Sequence, residues 1–241
     1  MTINNSSISS PGPDSAHLIL NCSESRLQTV LGRAGQVIWA RDLLVPGRAM
    51  KHIAPSIQAG LDFTGLDPAG LEGIACVQGP GSFTGIRMSY AHALGLSLAA
   101  DLPMASLSLF DALVQAPGSL LHGPVWVIIH SRTRQVYARG YLGPDLKPVS
   151  APVCLNISEL SLLLETNRHE KIHVLGSGVR RNPQAFTRKQ IHILPVFWDT
   201  PTPDTLLSLA LKARYGRHIQ APAYLRLSDA EDNLKKSSSS N

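Results

Sequence analysis

The segment that most constrains the fold is "GPGSFTGIRMSYAHALGLSLAA", residues 79–100, which follows closely on the apolar run "GIACV" at 73–77. A short apolar run before a glycine-rich turn is typical of a buried strand, and the longer segment after the turn has helical spacing. Gly79 and Gly81 predict a turn in which backbone segments approach closely. Either Ser82 or Thr84 can cap the helix that follows. The segment therefore predicts a strand, a tight turn and a helix.

Familiar catalytic and nucleotide-binding loops do not fit this segment. A Walker loop needs a lysine after its last glycine, whereas Ile86 follows Gly85. A dinucleotide-binding loop needs a third glycine three residues after the second, and here Gly85 comes one residue too late. Ser82 lacks the two flanking glycines of a nucleophile elbow. The free N–H groups of the first helical turn can face either an anion or a capping oxygen, and both alternatives stay open.

The helix after the turn carries small and large residues on adjacent stripes. Ala91, Gly95 and Ala99 fall four apart, and Tyr90, Leu94 and Leu98 form a neighbouring larger stripe. Small residues let another element come close, so the helix is expected to be covered on more than one side. Burial within the chain and a subunit interface both explain this pattern.

A second helix is predicted over residues 48–61. Met50, Ile53, Ile57 and Leu61 recur at helical spacing and define one apolar stripe. Pro55 lies inside the pattern, so it is expected to kink the helix or to delay its start.

Strands and helices alternate in both halves of the chain, and each half opens with a strand hairpin, at 17–44 and at 125–142. This repetition predicts an α/β fold with two related lobes, and a single doubly wound domain is the alternative. Residues 102–116 are interpreted as a linker and a helix. Further elements are a helix at 157–165, strands at 171–179 and 191–196, and a helix with Thr202 as its N-cap and Gly216 as its stop.

The predicted domains are an N-terminal lobe at 16–105, completed by the helix near 203–216, and a second lobe at 106–200. Residues 1–15 and 228–241 are expected to be mobile tails, with one ordered segment at Tyr224–Leu227 before the second tail. The N-terminus lacks the apolar run of a secretory signal, and the longest charge-free run is too short to span a membrane. A cytoplasmic location is therefore expected.

The net charge of +5 is partly clustered at Arg180, Arg181, Arg188 and Lys189. Such a cluster can meet phosphates or can form a solvated basic face. The three cysteines, Cys22, Cys76 and Cys154, have neither disulfide nor zinc spacing and are interpreted as small buried hydrophobic residues.

The segment "GPGSFTGIRMSYAHALGLSLAADLPMASLSLFDAL" resembles the hallmark of the TsaB family of YeaZ-type proteins. That hallmark is a GPGSFTGxR loop, a small-residue helix, a proline, and "SSL" before "ALA". Supporting matches are the first strand and loop at 17–25, the helix containing His52, "SRTRQVYARGY", "LGSGV" and "PAYLR". Together these matches span about residues 17–227.

This resemblance implies a two-lobed actin-like, sugar-kinase-like fold with duplicated lobes. It implies a non-catalytic subunit of the complex that forms threonylcarbamoyladenosine at position 37 of tRNAs reading ANN codons. The partners implied are a TsaD-type transferase paralogue, bound as a heterodimer through helices near 48–61 and 85–99, and a TsaE-type ATPase. tRNA would be contacted only indirectly, and the same surface would serve self-association.

Two sets of site residues follow from the pattern and the resemblance together. The first is the glycine-rich loop, and the second is the partner interface. The loop comprises Gly79, Pro80, Gly81, Ser82, Phe83, Thr84, Gly85 and Arg87, and the interface comprises Met50, Ile53, Ile57, Leu61, Tyr90, Ala91, Leu94, Gly95 and Leu98.

No catalytic residue, metal ligand or cofactor is predicted. Asn21 stands where relatives commonly have the aspartate of "DTS", and a neutral amide is a poor metal ligand. The transferase's HxxxH pair is missing, since Ser56 is the fourth residue after His52. His130 and Ser131 replace the usual Asp-Ala. The alternatives are an actin-like enzyme, either an ATP hydrolase or a glycoprotease-type peptidase, and a module that binds tRNA directly.

Overall fold

The computed structural model describes residues 15–165 and 171–217. The predicted tails, apart from Ser15, and the predicted ordered segment at 224–227 lie outside these residues. The described chain forms two compact units, one containing the residues up to Pro117 and from Thr200 onward, the other Gly118–Asp199.

The first unit contains a five-stranded sheet in the order β3-β2-β1-β4-β5. The first three strands are antiparallel neighbours, and β4 and β5 then add in parallel to β1. The strand bounds are β1 Ala16–Asn21, β2 Arg26–Arg33, β3 Gln36–Leu44, β4 Gly73–Val77 and β5 Met104–Leu107. The hairpin forms as predicted. The linker interpretation of residues 102–108 is wrong, because four of them complete the sheet as β5.

Helices cover both faces of this sheet. On one face α1 and α2 pack against the strands, and on the other α6 packs against β1, β2 and β3. The helices of this unit are α1 Met50–Thr64, α2 Phe83–Ala100, α3 Leu109–Gly118 and α6 Pro203–Lys212. Pro55 does not delay the start of α1, which begins five residues before it.

The last helix begins as predicted and ends earlier. Thr202 caps α6, because its side-chain oxygen accepts the Thr205 N–H at 3.1 Å. Gly216 is not the stop, since the helix ends at Lys212 and Gly216 instead forms a bridge with Met104 at the end of the sheet.

The second unit repeats the strand arrangement of the first. A β6–β7 hairpin is extended on one side by β10 and β11, which add in parallel, and on the other by β8 and β9. The elements are β6 Gly123–Arg132, β7 Gln135–Gly143, β8 Lys147–Pro148, β9 Val153–Asn156, α4 Ile157–Glu165, β10 Ile172–Leu175, α5 Ser177–Arg181 and β11 Ile191–Ile193. The segment predicted as a strand ending in a glycine-rich turn, 171–179, forms the strand Ile172–Leu175, and the short helix α5 follows at Ser177. The duplicated α/β fold class is confirmed.

Candidate functional site

The glycine-rich loop packs its backbone against the two residues that follow β1. A Cβ atom added to Gly81 would lie 1.8 Å from the Ser23 carbonyl oxygen, and one added to Gly85 would lie 2.0 Å from the Cys22 carbonyl oxygen. Gly79 and Gly81 also have φ angles of +103° and +153°, which side chains strongly disfavour. The glycines are therefore required by close packing between the loop and the end of β1.

The first turn of α2 is capped from within the chain. The Ser82 hydroxyl accepts the Gly85 N–H at 3.2 Å, and the Ser82 N–H donates to the Ser23 carbonyl at 2.6 Å. Of the two candidate caps, Ser82 is the one observed. Because the cap takes up one of the helix's free donors, the loop offers an anion fewer N–H groups than an uncapped helix would.

The remaining loop residues differ in exposure. Pro80 is buried, Thr84 is exposed, and Phe83 is half-buried. The Arg87 guanidinium carbon lies 3.7 Å from the centre of the Phe83 ring, which is a cation–π contact. The Phe83 and Arg87 side chains therefore pack against one another in the first two turns of α2.

A hydrogen-bond network centred on two amide side chains occupies the end of β1. The Asn21 amide donates to Gln28 Oε1 at 2.8 Å, and Asn21 Oδ1 accepts from the Ser23 hydroxyl at 2.6 Å and from its N–H at 3.1 Å. Gln28 Nε2 then donates to the Pro201 carbonyl at 2.8 Å. Asn21 and Gln28 are both buried. The Asn21 side chain thus helps to hold the hairpin and the chain before α6 together.

Gln28 was not singled out by the sequence analysis. A glutamine in the middle of an apolar strand, on a segment predicted as a hairpin, is the signal that marks it, because a buried amide needs partners.

The corresponding position in the second unit is His130, near the end of β6. Its backbone N–H donates to the Ser177 hydroxyl at 2.9 Å. Burial lowers the pKa of the imidazole, and the nearby Arg181 lowers it further. His130 is therefore neutral at pH 7.

The predicted partner interface divides into buried and exposed residues. Ile53, Ile57, Leu61 and Tyr90 are buried in the core of the first unit, so their assignment to a docking face is wrong. They face the sheet because the apolar stripe of α1 is the side that covers it. The exposed members are Met50, Ala91, Leu94, Gly95 and Leu98.

Four of the exposed residues, Ala91, Leu94, Gly95 and Leu98, lie on α2 and are called the α2 surface below. Leu98 is 75% exposed. Phe63, near the end of α1, is also 75% exposed and was missed, because the predicted helix stopped at residue 61. Large apolar side chains at such exposure mark a surface suited to a partner.

Two arginines of the basic cluster in the second unit form ion pairs with carboxylates of the same unit. Arg180 donates from Nε to Asp199 Oδ2 at 2.6 Å and from Nη2 to Asp199 Oδ1 at 3.2 Å. Arg188 pairs with Glu165. These contacts favour the structural alternative over a phosphate-binding patch.

Two of the cysteines are buried as predicted, and the third, Cys154, is only half-buried. Burial raises the pKa of the Cys22 thiol to about 11, and burial also raises the pKa of Cys76. Both thiols stay protonated at neutral pH and are poor nucleophiles.

Within residues 15–165 and 171–217, no three His, Cys, Asp or Glu side chains are grouped so that they could hold a metal ion. Over the same residues, no helix has the length and apolar character needed to cross a membrane.

The fold and the site together define a protein of two α/β units with related strand arrangements, in which a glycine-rich loop is packed against the first hairpin. The family model for TsaD, tRNA N6-adenosine threonylcarbamoyltransferase, matches residues 45–189. This is more than half of the chain, and the chain belongs to that family.

Within the family, the chain is similar to proteins named tRNA threonylcarbamoyladenosine biosynthesis protein TsaB. The Haemophilus influenzae protein is 38% identical over 88 residues, which is 36% of this chain and 37% of the relative. The Escherichia coli protein is 36% identical over 72 residues, which is 30% of this chain and 31% of the relative. The matched segments thus span about a third of the length of these relatives.

Solved structures support the same grouping at the level of fold. A Pseudomonas aeruginosa protein described as similar to the peptidase YEAZ superposes with a TM-score of 0.73 at 21% identity, covering 88% of this chain and all of that one. YeaZ from the same organism gives a TM-score of 0.67 at 21% identity, covering 81% and 90%. The TsaB/YeaZ-type identification made from the sequence is confirmed.

Proposed function

We propose that this protein is a non-catalytic partner subunit in the synthesis of threonylcarbamoyladenosine at position 37 of tRNAs that read ANN codons. It binds a TsaD-type transferase through the α2 surface and acts in the cytoplasm. The similarity to TsaB proteins supports the pathway. The observation that carries the proposed role is the exposed apolar face of α2, where the small residues Ala91 and Gly95 alternate with Leu94 and Leu98. Small residues let a partner helix approach, and the leucines supply apolar area to bury.

The chemistry at the ends of β1 and β6 supports a non-catalytic role. An actin-like enzyme that transfers a group from ATP needs a carboxylate or an imidazole to hold the metal ion. Here the Asn21 amide is neutral and is bonded on both sides, and the His130 imidazole belongs to no group of three His, Cys, Asp or Glu side chains within residues 15–165 and 171–217 that could hold a metal ion. The loop glycines are packed against carbonyl groups of the same chain.

The proposal is tested by mixing the purified chain with the TsaD-type transferase of its host. We expect a heterodimer by size-exclusion chromatography with light scattering. Leu98→Arg should weaken it by about tenfold or more, because a charge would be buried in an apolar interface. Leu98 is exposed, so the variant should fold. Leu162, which is 61% exposed in the second unit, provides the matched control Leu162→Arg, which should bind normally.

Ile57→Arg would not test the interface, since Ile57 is buried and the variant would unfold the first unit. Normal binding by Leu98→Arg would refute the docking assignment. If the wild-type chain forms a homodimer and Leu98→Arg does not, the homodimer uses the same surface.

The role is tested separately by tRNA modification. The transferase should modify tRNA only when this chain and a TsaE-type ATPase are both present, and this chain alone should neither hydrolyse ATP nor bind tRNA tightly. Turnover of ATP or cleavage of a peptide by the isolated chain would refute the non-catalytic role.

A further inference from the structure

The positive charge of the described chain is concentrated in the second unit. Within residues 118–165 and 171–199 there are nine lysines and arginines against four aspartates and glutamates. The described first unit, at 15–117 and 200–217, has nine against eight. The second unit therefore carries an excess of five positive charges, and the first an excess of one. A surface of this sign attracts polyanions such as nucleic acids.

Three arginines of the second unit lie at the carboxyl end of β6. Arg132 ends this strand and donates from Nε across the hairpin turn to Gln135 Oε1 at 2.6 Å, and Arg134 lies within that turn. Arg181 ends α5, and its charge is close enough to His130, near the same end of β6, to lower the pKa of that imidazole. The three charges are therefore neighbours at one end of the second sheet.

This end of the sheet is accessible and positive. Arg134 and Arg181 are exposed, and Arg132 is half-buried. Glu159 also lies at this end, at the start of α4, where its carboxylate accepts the Asn156 N–H at 2.7 Å. One carboxylate beside three guanidinium groups leaves a net positive charge.

The first unit shows that the fold does not require these charges. Its equivalent hairpin turns through residues 22–25, which include Glu24 and neither lysine nor arginine. The related strand arrangement forms in both units. Arg134 also has a φ of +60°, a left-handed conformation that glycine adopts more readily. The arginines of this turn are therefore better explained by binding than by folding.

Guanidinium groups are suited to phosphate. Their planar, fixed arrangement of N–H donors matches phosphate oxygens, and they stay charged at every physiological pH. The relatives of this chain are named for tRNA threonylcarbamoyladenosine biosynthesis, so tRNA is the polyanion that the proposed function brings to the protein. Three contacts to phosphates give weak, salt-dependent binding that positions an RNA without reading its sequence.

We propose that Arg132, Arg134 and Arg181 bind the phosphate backbone of the tRNA that is modified. The contact is direct, which differs from the indirect contact that the family resemblance implies. The identity of the RNA rests on the proposed function. The arginines themselves use neither the α2 surface nor the glycine-rich loop.

The test measures binding of a fluorescein-labelled, unmodified transcript of a tRNA that reads an ANN codon to the full chain, by fluorescence anisotropy. We expect a Kd on the order of 10 μM at about 50 mM NaCl, and a slope of log affinity against log salt of about −2 to −3, as three phosphate contacts give. Replacing all three arginines together, by Arg132→Gln, Arg134→Gln and Arg181→Gln, should weaken binding at least about tenfold and bring the slope close to zero.

The matched control removes three lysines from the other end of the same unit. Lys171 and Lys189 come just before β10 and β11, which run parallel to β6, and Lys147 pairs with Leu142 near the start of β6. All three lysines are exposed. Replacing them by glutamine changes the net charge by the same amount and should weaken RNA binding by no more than about twofold, with the slope unchanged. Equal losses in the two triple variants would mean that net charge alone attracts the RNA, and would overturn the proposal.

A single variant separates binding from folding. Arg134→Gly should melt no lower than the wild type, because glycine adopts a φ of +60° readily, yet it should make the salt slope shallower by about one. Leu98→Arg should bind the RNA normally, and the triple-arginine variant should still form the heterodimer, so the docking proposal and this one fail separately. The proposal is overturned if the wild-type chain does not bind the RNA, or if the triple-arginine variant loses the heterodimer and keeps the RNA.

Discussion

Two glycines on the same helix are expected to respond to alanine in opposite directions. Gly85 lies in the first turn of α2 against the Cys22 carbonyl, and a Cβ there would lie 2.0 Å from that oxygen, whereas ordinary van der Waals contact begins at 3.4 Å. Because the obstacle is backbone, it cannot rotate away. Gly95 is exposed, and a Cβ there would meet no atom within 4 Å.

Intrinsic helix propensity favours alanine over glycine by about 1 kcal/mol at both positions. At Gly95 nothing opposes this gain, so Gly95→Ala should stabilise the chain by about 0.5–1 kcal/mol. At Gly85 the displacement of α2 or of β1 costs about 1–3 kcal/mol, as overpacking does elsewhere. Gly85→Ala should therefore be destabilised by up to about 2 kcal/mol, a decrease in Tm of several degrees for a chain of this size.

The assay is urea unfolding of the isolated chain, followed by circular dichroism, with the two variants and the wild type side by side. The readout is the difference in the free energy of unfolding between variants. A Gly85→Ala protein as stable as Gly95→Ala would refute the conclusion that the loop glycines serve close packing.

Two further predictions concern buried charge. Burial lowers the pKa of His17 below its usual value near 6.5, so the unfolded chain binds more protons than the folded chain below that pH. The free energy of unfolding should therefore fall as the pH drops from 7 to 5. The fall should be less steep in His17→Phe, which lacks the imidazole. Arg180→Ala should lose about 2–3 kcal/mol in chemical unfolding, because the Asp199 carboxylate, only 11% exposed, would keep the Gly176 N–H but lose its ionic partner. Arg188→Ala, which breaks the more exposed pair with Glu165, should lose less than about 1 kcal/mol, and equal losses would contradict the argument.

The regular parts of the fold were predictable because their signals are local. Apolar runs on either side of the turn at Gly32–Gly35 predicted the first hairpin, and the apolar run at 125–130 with the alternation at 135–142 predicted the second. Thr202 followed by proline predicted the start of α6. The strand β5 was missed because it has only four residues and is defined by pairing with β4 and with Gly216, both distant in sequence. Helix α5 has five residues and is too short for periodicity to detect.

The site was less predictable, since its contacts join distant parts of the chain. Sequence patterns indicated close approach at Gly79 and Gly81 but not at Gly85. Nothing local identified Ser23 and Cys22 as the backbone that Gly81 and Gly85 approach. Periodicity also finds an apolar stripe without saying whether it faces the core or a partner. For this reason Ile57 was placed on a docking face although it lies in the core.

The duplication explains what the glycines do. In the second unit Gly176 follows β10, and a Cβ there would lie 2.4 Å from the Ile128 carbonyl oxygen, while one at Gly178 would lie 3.0 Å from the same atom. The turn after β10 thus packs against β6 as the turn after β4 packs against the end of β1. Because both units pack a glycine-containing turn against a carbonyl of the first strand, close packing explains the glycines of the loop.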